Sequence, residues 1–133
     1  MIVADASAAV AAFAAWHDRQ RAAQHALGRS AAIVSHAACE TYSVLTRLPP
    51  PHRAAAPVVR DFLAARFPEP LLRLTGQAYR DFLLRLADLG VTGGAAYDAL
   101  VAATAASNAA ELVTCDRRAV PVYDRSGVRS RLL

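Results

Sequence analysis

The stretch Met1-Ile2-Val3-Ala4-Asp5-Ala6-Ser7-Ala8-Ala9-Val10 decides how the chain is read. Residues 1–4 form a short apolar run, which suits a buried strand. The run stops at Asp5. Ser7 then offers a hydroxyl to cap a helix over about Ala8 to His17. Strand, acid and helix in quick succession recur further along. Ala31 to Val34 reads as a second strand, with Ser35 capping a helix through Leu48 that Pro49-Pro50-Pro51 stops. Glu111 to Cys115 reads as a strand ending at Asp116.

The remaining segments fill in the pattern. His17 to Gly28 is a polar helix closed by Gly28. Val58 to Phe67 is a helix ending before Pro68. Leu71 to Leu74 is a short strand, and Val128 to Leu133 is a last one. Gln77 to Leu89 is an amphipathic helix that Gly90 ends. Its apolar stripe is Tyr79, Phe82, Leu83 and Leu86. Its wet face is Arg80, Asp81, Arg85 and Asp88, with Asp81 and Arg85 paired at i, i+4. Short apolar strands alternating with helices predict an α/β fold with a mainly parallel sheet. A length of 133 residues, 55% of them hydrophobic, predicts one domain over residues 1–133.

The formal net charge is +4, and all 15 basic residues are arginine. Residues 116–131 hold Arg117, Arg118, Arg125, Arg129 and Arg131 against Asp116 and Asp124. Such a basic end suits a polyanionic substrate, or a solvated surface. A GC-rich coding bias accounts for the arginines and for the alanine excess as well. Two cysteines, Cys39 and Cys115, make neither a disulfide framework nor a Cys-x-x-Cys motif, and are expected to be reduced and buried. The apolar run Ala6 to Trp16 is too short to span a membrane and has no basic segment before it. A soluble cytoplasmic protein is expected.

Four acids look out of place. Asp98 is the only charged residue between Ala95 and Ala110, in an alanine-rich helix that is apolar nearly all round. The helix dipole favours a carboxylate there by about 0.3–1 kcal/mol, too little to offset deep burial. Glu40 shares a predicted helix face with Ala37, Val44 and Leu48, so an acid falls on the expected core stripe. His36 lies at i−4 from it and can pair with it. Asp5 and Asp116 stand at strand ends, where turns and caps also favour Asp and where α/β folds bind ligands. Gathered at one edge of a sheet, the four would repel one another and take up protons. A hard divalent cation, Mg²⁺ or Mn²⁺, resolves the conflict with oxygen ligands. The His36–Glu40 spacing is not a His-Glu-x-x-His motif, and zinc is not expected.

These residues carry a resemblance. Residues 1–10 with Asp5 and Ser7, residues 35–48 with Glu40, Gly93 to Ala105 with Asp98, and Leu112 to Ala119 with Thr114 and Asp116 together resemble the PIN-domain ribonucleases, and among them the VapC-like toxins of toxin–antitoxin pairs. The resemblance covers nearly the whole chain. It implies a three-layer α/β/α sandwich with strand order 3-2-1-4-5. It also implies an acidic site of Asp5, Glu40, Asp98 and Asp116 that binds Mg²⁺ or Mn²⁺, with Ser7 and Thr114 in support. The implied activity is hydrolysis of RNA by a metal-activated water, leaving a 5′-phosphate and a 3′-hydroxyl. Glu40 would hold metal or orient that water. Some relatives carry a further acid two residues beyond the last; here that position is Arg118. Arg117 and Arg118 adjoin the acids and would contact RNA phosphates, or form surface salt bridges. A cognate antitoxin and a homodimer are the implied partners, with Phe13 and Trp16 as an apolar anchor for the antitoxin's tail or as ordinary core.

Other readings compete. A PIN-like module without catalysis would keep the fold and bind protein or RNA, but none of the four acids is missing. A phosphoacceptor receiver domain needs a lysine near the last strand, and the chain has none. A dinucleotide-binding enzyme needs Gly-x-Gly-x-x-Gly after the first strand, where Asp5-Ala-Ser-Ala-Ala-Val stands.

Overall fold

The computed structural model describes residues 1–133. Strand β1 (Ile2–Ala4) leads into helices α1 (Ala6–Phe13) and α2 (Gln20–Leu27). Strand β2 (Ala32–Ile33) is followed by α3 (Ser35–Arg47), α4 (Ala56–Arg66), α5 (Gly76–Arg85) and α6 (Ala95–Ser107). Strand β3 (Glu111–Thr114), helix α7 (Val120–Arg125) and strand β4 (Arg129–Leu132) complete the chain.

The four strands form one sheet in the order β2-β1-β3-β4, and every pair is parallel. Val3 sits between Ala32 and Leu112, which fixes β1 at the centre. Parallel neighbours need crossovers, and the helices that supply them cover the sheet in an α/β/α sandwich. The strand expected over Leu71–Leu74 is reduced to one parallel bridge between Val34 and Leu72. Leu72 donates to the Ile33 carbonyl at 3.0 Å and Ser35 donates to the Leu72 carbonyl at 2.8 Å. Pro68 and Pro70 lead into this bridge without N–H groups, which prevents a longer ladder. With the bridge counted third, the spatial order is 3-2-1-4-5.

Several boundaries differ from the sequence reading. Asp5, not Ser7, caps α1: its backbone is extended and its side chain accepts from the Ala8 N–H. Ser7 lies inside the helix, which ends at Phe13 and not at His17. Ser35 is likewise the first residue of α3, with Val34 as its cap and no side-chain cap bond. On α5 only Phe82 is buried, while Tyr79 and Leu83 of the expected stripe are exposed. Phe82 joins Val91, Ala99, Leu100 and Val122 in a small second core. Asp81 accepts from the Gln77 amide at 3.0 Å, and no ion pair to Arg85 forms. Helix α7 was not expected; Pro121 in its first turn is compatible with a helix start.

The main core holds 24 buried residues, and fourteen of them are alanine. Seven of the alanines, Ala8, Ala9, Ala11 and Ala12 on α1, Ala23 on α2 and Ala37 and Ala38 on α3, lie on helices that pack together, where small side chains let helix axes approach closely. Each such methyl contributes only about 0.8 kcal/mol of burial. The larger anchors are Ile33, Leu27, Leu112 and Tyr123. Both cysteines are free, but neither is buried as expected: Cys39 is exposed and Cys115 partly so. No helix is long and apolar enough to cross a membrane.

Candidate active site

All four strands point their carboxyl ends to one edge of the sheet, and the acids collect there. Asp5 follows β1 directly and is only 4% exposed. Its Oδ1 accepts from the Ser7 hydroxyl at 2.6 Å and from the Ala8 N–H at 2.9 Å. Its Oδ2 accepts from the Tyr123 hydroxyl at 2.8 Å. Burial pushes the Asp5 carboxyl above the usual carboxylate range, and the donors around it pull the other way.

Ser7 and Thr114 knit the ends of β1 and β3 together. The single Ser7 proton is on Asp5, so the 3.1 Å contact between the two hydroxyls has Thr114 as its donor. Ser7 also accepts from the Cys115 N–H at 2.8 Å, and Thr114 accepts from the Asp116 N–H at 2.9 Å. Hydrogen bonds therefore run from the Asp116 backbone through Thr114 and Ser7 to the Asp5 carboxylate. No buried side-chain polar atom in the chain lacks a partner.

Asp98 stands in the first turn of α6 and is half-buried, not deeply buried as the apolar helix suggested. Its carboxyl is pushed up to about 6, first by burial and then by the negative charges of Asp116, Glu40 and Asp5; Arg118 opposes them. Those couplings put the four acids within electrostatic reach of one another. Asp116 Oδ1 accepts from the Arg118 N–H at 2.9 Å and from its guanidinium at 3.3 Å. The surface ion pair is thus the contact Arg118 makes here, and Arg117 is exposed.

Glu40 departs from expectation. The buried face of α3 is Ala37, Ala38, Thr41 and Leu45, and the Glu40 side chain is 50% exposed on the flank. Thr41 can face inward because its hydroxyl donates to the Ala37 carbonyl at 2.7 Å, so the buried face runs through Thr41 and Leu45 and not through the predicted stripe. Glu40 Oε2 lies 3.9 Å from His36 Nε2, the i−4 pairing noted in the sequence. It opens on a recess of about 260 Å³ shared with Ser7, His17 and Cys115. Burial and the nearby Asp5 charge push the Cys115 thiol up, so it is a poor nucleophile.

No three of these side chains close into a compact ligand shell. The donor set nevertheless suits a hard cation: four carboxylates, among which burial and then the neighbouring negative charges raise Asp98, with one arginine to offset them. The residue that the sequence did not flag is Tyr123. It is buried on α7, and its hydroxyl stays protonated because burial and the Asp5 charge push its pKa up. Phe13 packs edge-on against Phe62 at 5.1 Å, while Trp16 remains 47% exposed with its ring 4.4 Å from that of His52.

The PIN domain family matches residues 2–124, a span that runs from β1 into α7 and takes in all four acids. The chain belongs to the PIN domain family. Ribonuclease VapC40 of Mycobacterium tuberculosis strain CDC 1551 / Oshkosh is 49% identical over 133 residues, covering 100% of this PIN domain chain and 99% of the relative. The same protein of strain ATCC 25618 / H37Rv matches equally. Ribonuclease VapC27 of the latter strain is 48% identical over 100 residues, 75% of this chain and 72% of that one. In this PIN domain the hydroxyl bridge from Asp116 to Asp5 holds the ends of the two central strands, β1 and β3, in register at the acid site.

Proposed function

We propose that the chain is an endoribonuclease that hydrolyses RNA phosphodiesters with Mg²⁺ or Mn²⁺, and that it acts as the toxin of a toxin–antitoxin pair. The observation that carries this reading is Asp98, raised to about 6 first by burial and then by three other carboxylates at the carboxyl edge of a parallel sheet. The naming of 49% identical relatives as ribonucleases supports it. Asp5, Asp98, Asp116 and Glu40 would hold the cation. When bound, it supplies positive charge to a phosphate oxygen and acidifies a water.

The chain's own groups divide the remaining work. Tyr123, Ser7 and the Ala8 N–H hold both Asp5 oxygens, so that carboxylate is oriented before substrate arrives. Glu40 has one oxygen turned to His36 and the other free to accept a hydrogen bond from the attacking water. The water oxygen bonds to phosphorus in line as its proton passes to solvent, the bond to the 3′-oxygen breaks, and that oxygen leaves with a proton from solvent. The products are a 5′-phosphate and a 3′-hydroxyl. Arg118 moves from Asp116 to a phosphate, and exposed Arg117 contacts the RNA backbone. Residues 1–133 act as one unit, in the cytoplasm and as a homodimer. An antitoxin restrains the enzyme, with Trp16 as the open part of its anchor.

The test is cleavage of a total RNA pool by the antitoxin-free protein, with Mg²⁺ or Mn²⁺ and with chelator, beside folded Asp98→Asn. Metal-dependent cleavage that the variant loses is expected. Absence of cleavage together with absence of metal binding by calorimetry would replace this reading with a non-catalytic binding module.

A further inference from the structure

Beside the acids, the rings of His36 and Tyr97 lie parallel, with centroids 5.0 Å apart and planes 1° apart. The pair bridges α3 and α6, the two helices that carry Glu40 and Asp98. Tyr97 immediately precedes Asp98, and His36 Nε2 lies 3.9 Å from Glu40 Oε2. His36 covers one side of the tyrosine ring, yet Tyr97 is still 59% exposed. Arg73 lines the recess next to His36 and puts a cation on the same flank. A large aromatic ring is therefore braced by a stack and left open at the mouth of a site built for phosphodiesters.

We propose that Tyr97, backed by His36, is a stacking platform for one unpaired base of the RNA substrate next to the scissile phosphate. This rests on the ribonuclease reading above. Single-stranded RNA is recognised by stacking splayed bases on aromatic rings, and the 2′-OH and phosphates add no base preference of their own. A ring whose orientation is already set by His36 loses little freedom when a base adds to the stack. Purines, with the larger π-face, gain more than pyrimidines, so Tyr97 biases cleavage toward a purine at the stacked position.

The test compares wild type with Tyr97→Phe, Tyr97→Trp, Tyr97→Leu and Tyr97→Ala on a random-sequence single-stranded RNA library with Mn²⁺, reading kcat/KM and the sequence at the cut ends. Thermal unfolding and Mn²⁺ titration of each variant establish that fold and metal binding persist. Base stacking on an aromatic corresponds to about 5- to 150-fold in binding. Tyr97→Ala and Tyr97→Leu are expected to lose kcat/KM in that range, mainly through KM, and to flatten the base preference at one position. Phe and Trp are expected to keep both, and His36→Ala to weaken the preference partway. A Leu variant as good as Phe, or an Ala variant with unchanged KM and cut sites, overturns the platform. So does an Ala variant that cleaves normally but escapes antitoxin, which makes the ring a protein contact. A wild type that cleaves no RNA overturns the ribonuclease reading instead.

Discussion

The Tyr123 hydroxyl donates to Asp5 Oδ2 at 2.8 Å, joining residues 118 positions apart in the chain. One oxygen of a buried carboxylate thus depends on a single side chain of α7. Tyr123→Phe keeps the ring and removes only the donor. The variant is expected to lose about 1–3 kcal/mol in urea unfolding at neutral pH, the cost of leaving a buried acceptor unpaired. Cleavage should fall less than in Asp5→Asn, because the carboxylate itself remains.

Ser7 carries three hydrogen bonds at the junction of β1, α1 and β3. Ser7→Ala strands the Cys115 N–H and removes a donor from Asp5. A loss of about 1–3 kcal/mol is expected, with a slower hydrogen exchange at Cys115 in the wild type as the local readout. Thr114→Ser, which keeps the hydroxyl, should lie close to wild type, and Thr114→Val should resemble Ser7→Ala.

Asp98 makes stability depend on pH in an unusual direction. Its folded pKa of about 6 lies above the usual carboxylate value of 3.8. Between those pH values the metal-free folded state holds more protons than the unfolded state. Stability therefore falls as pH rises from about 4 to 6 and does not recover above that window. Asp98→Asn should remove this slope and be the more stable protein at pH 7 without metal, by about 1 kcal/mol after solvent screening of a half-exposed group. Thermal unfolding across pH 4–8 in chelator checks it; a wild type more stable than the variant at pH 7 would count against it.

The same proton competes with a cation. Mn²⁺ affinity should rise as pH increases through 6, by up to about tenfold per unit while one proton is displaced, and level off near pH 7. Calorimetry in two buffers of different ionisation enthalpy would count the protons released.

The Arg118 guanidinium donates to Asp116 Oδ1 at 3.3 Å, where it would compete with a cation. Arg118→Ala should tighten the binding of Mn²⁺ alone, because a competing charge is gone. It should weaken RNA binding and lower the salt dependence by about one phosphate contact. Tighter Mn²⁺ binding with unchanged RNA affinity and salt dependence would show that Arg118 serves only as a surface ion pair.

The sequence made some of this legible and hid the rest for physical reasons. Asp5, Asp98 and Asp116 stand beside apolar strands and helices whose periodicity is local, so their shared edge follows from short-range pattern. The face of Glu40 does not, because the inward turn of Thr41 depends on a hydroxyl satisfied within its own helix. Leu72 keeps one bridge of an expected strand because flanking prolines remove donors that hydropathy ignores. Tyr123 was invisible because its partner is 118 residues away and no spacing rule links them. Tyr79 and Leu83 on α5 show the converse error, positions of a periodic stripe that stay exposed while the chain covers only Phe82 and part of Leu86.

A core in which fourteen of 24 residues are alanine has rotamers to rearrange at only ten positions. Alanine surrenders no side-chain entropy on folding, so this interior is inexpensive to order. It is also unable to absorb a misfit by swinging a neighbour aside. A single added methyl at Ala8 or Ala37 would have to be accommodated by moving backbone, and the nearest backbone leads to Asp5 and Glu40. The interior of this protein behaves as a gauge block: its thickness, set by methyl groups, fixes how far apart the acids stand.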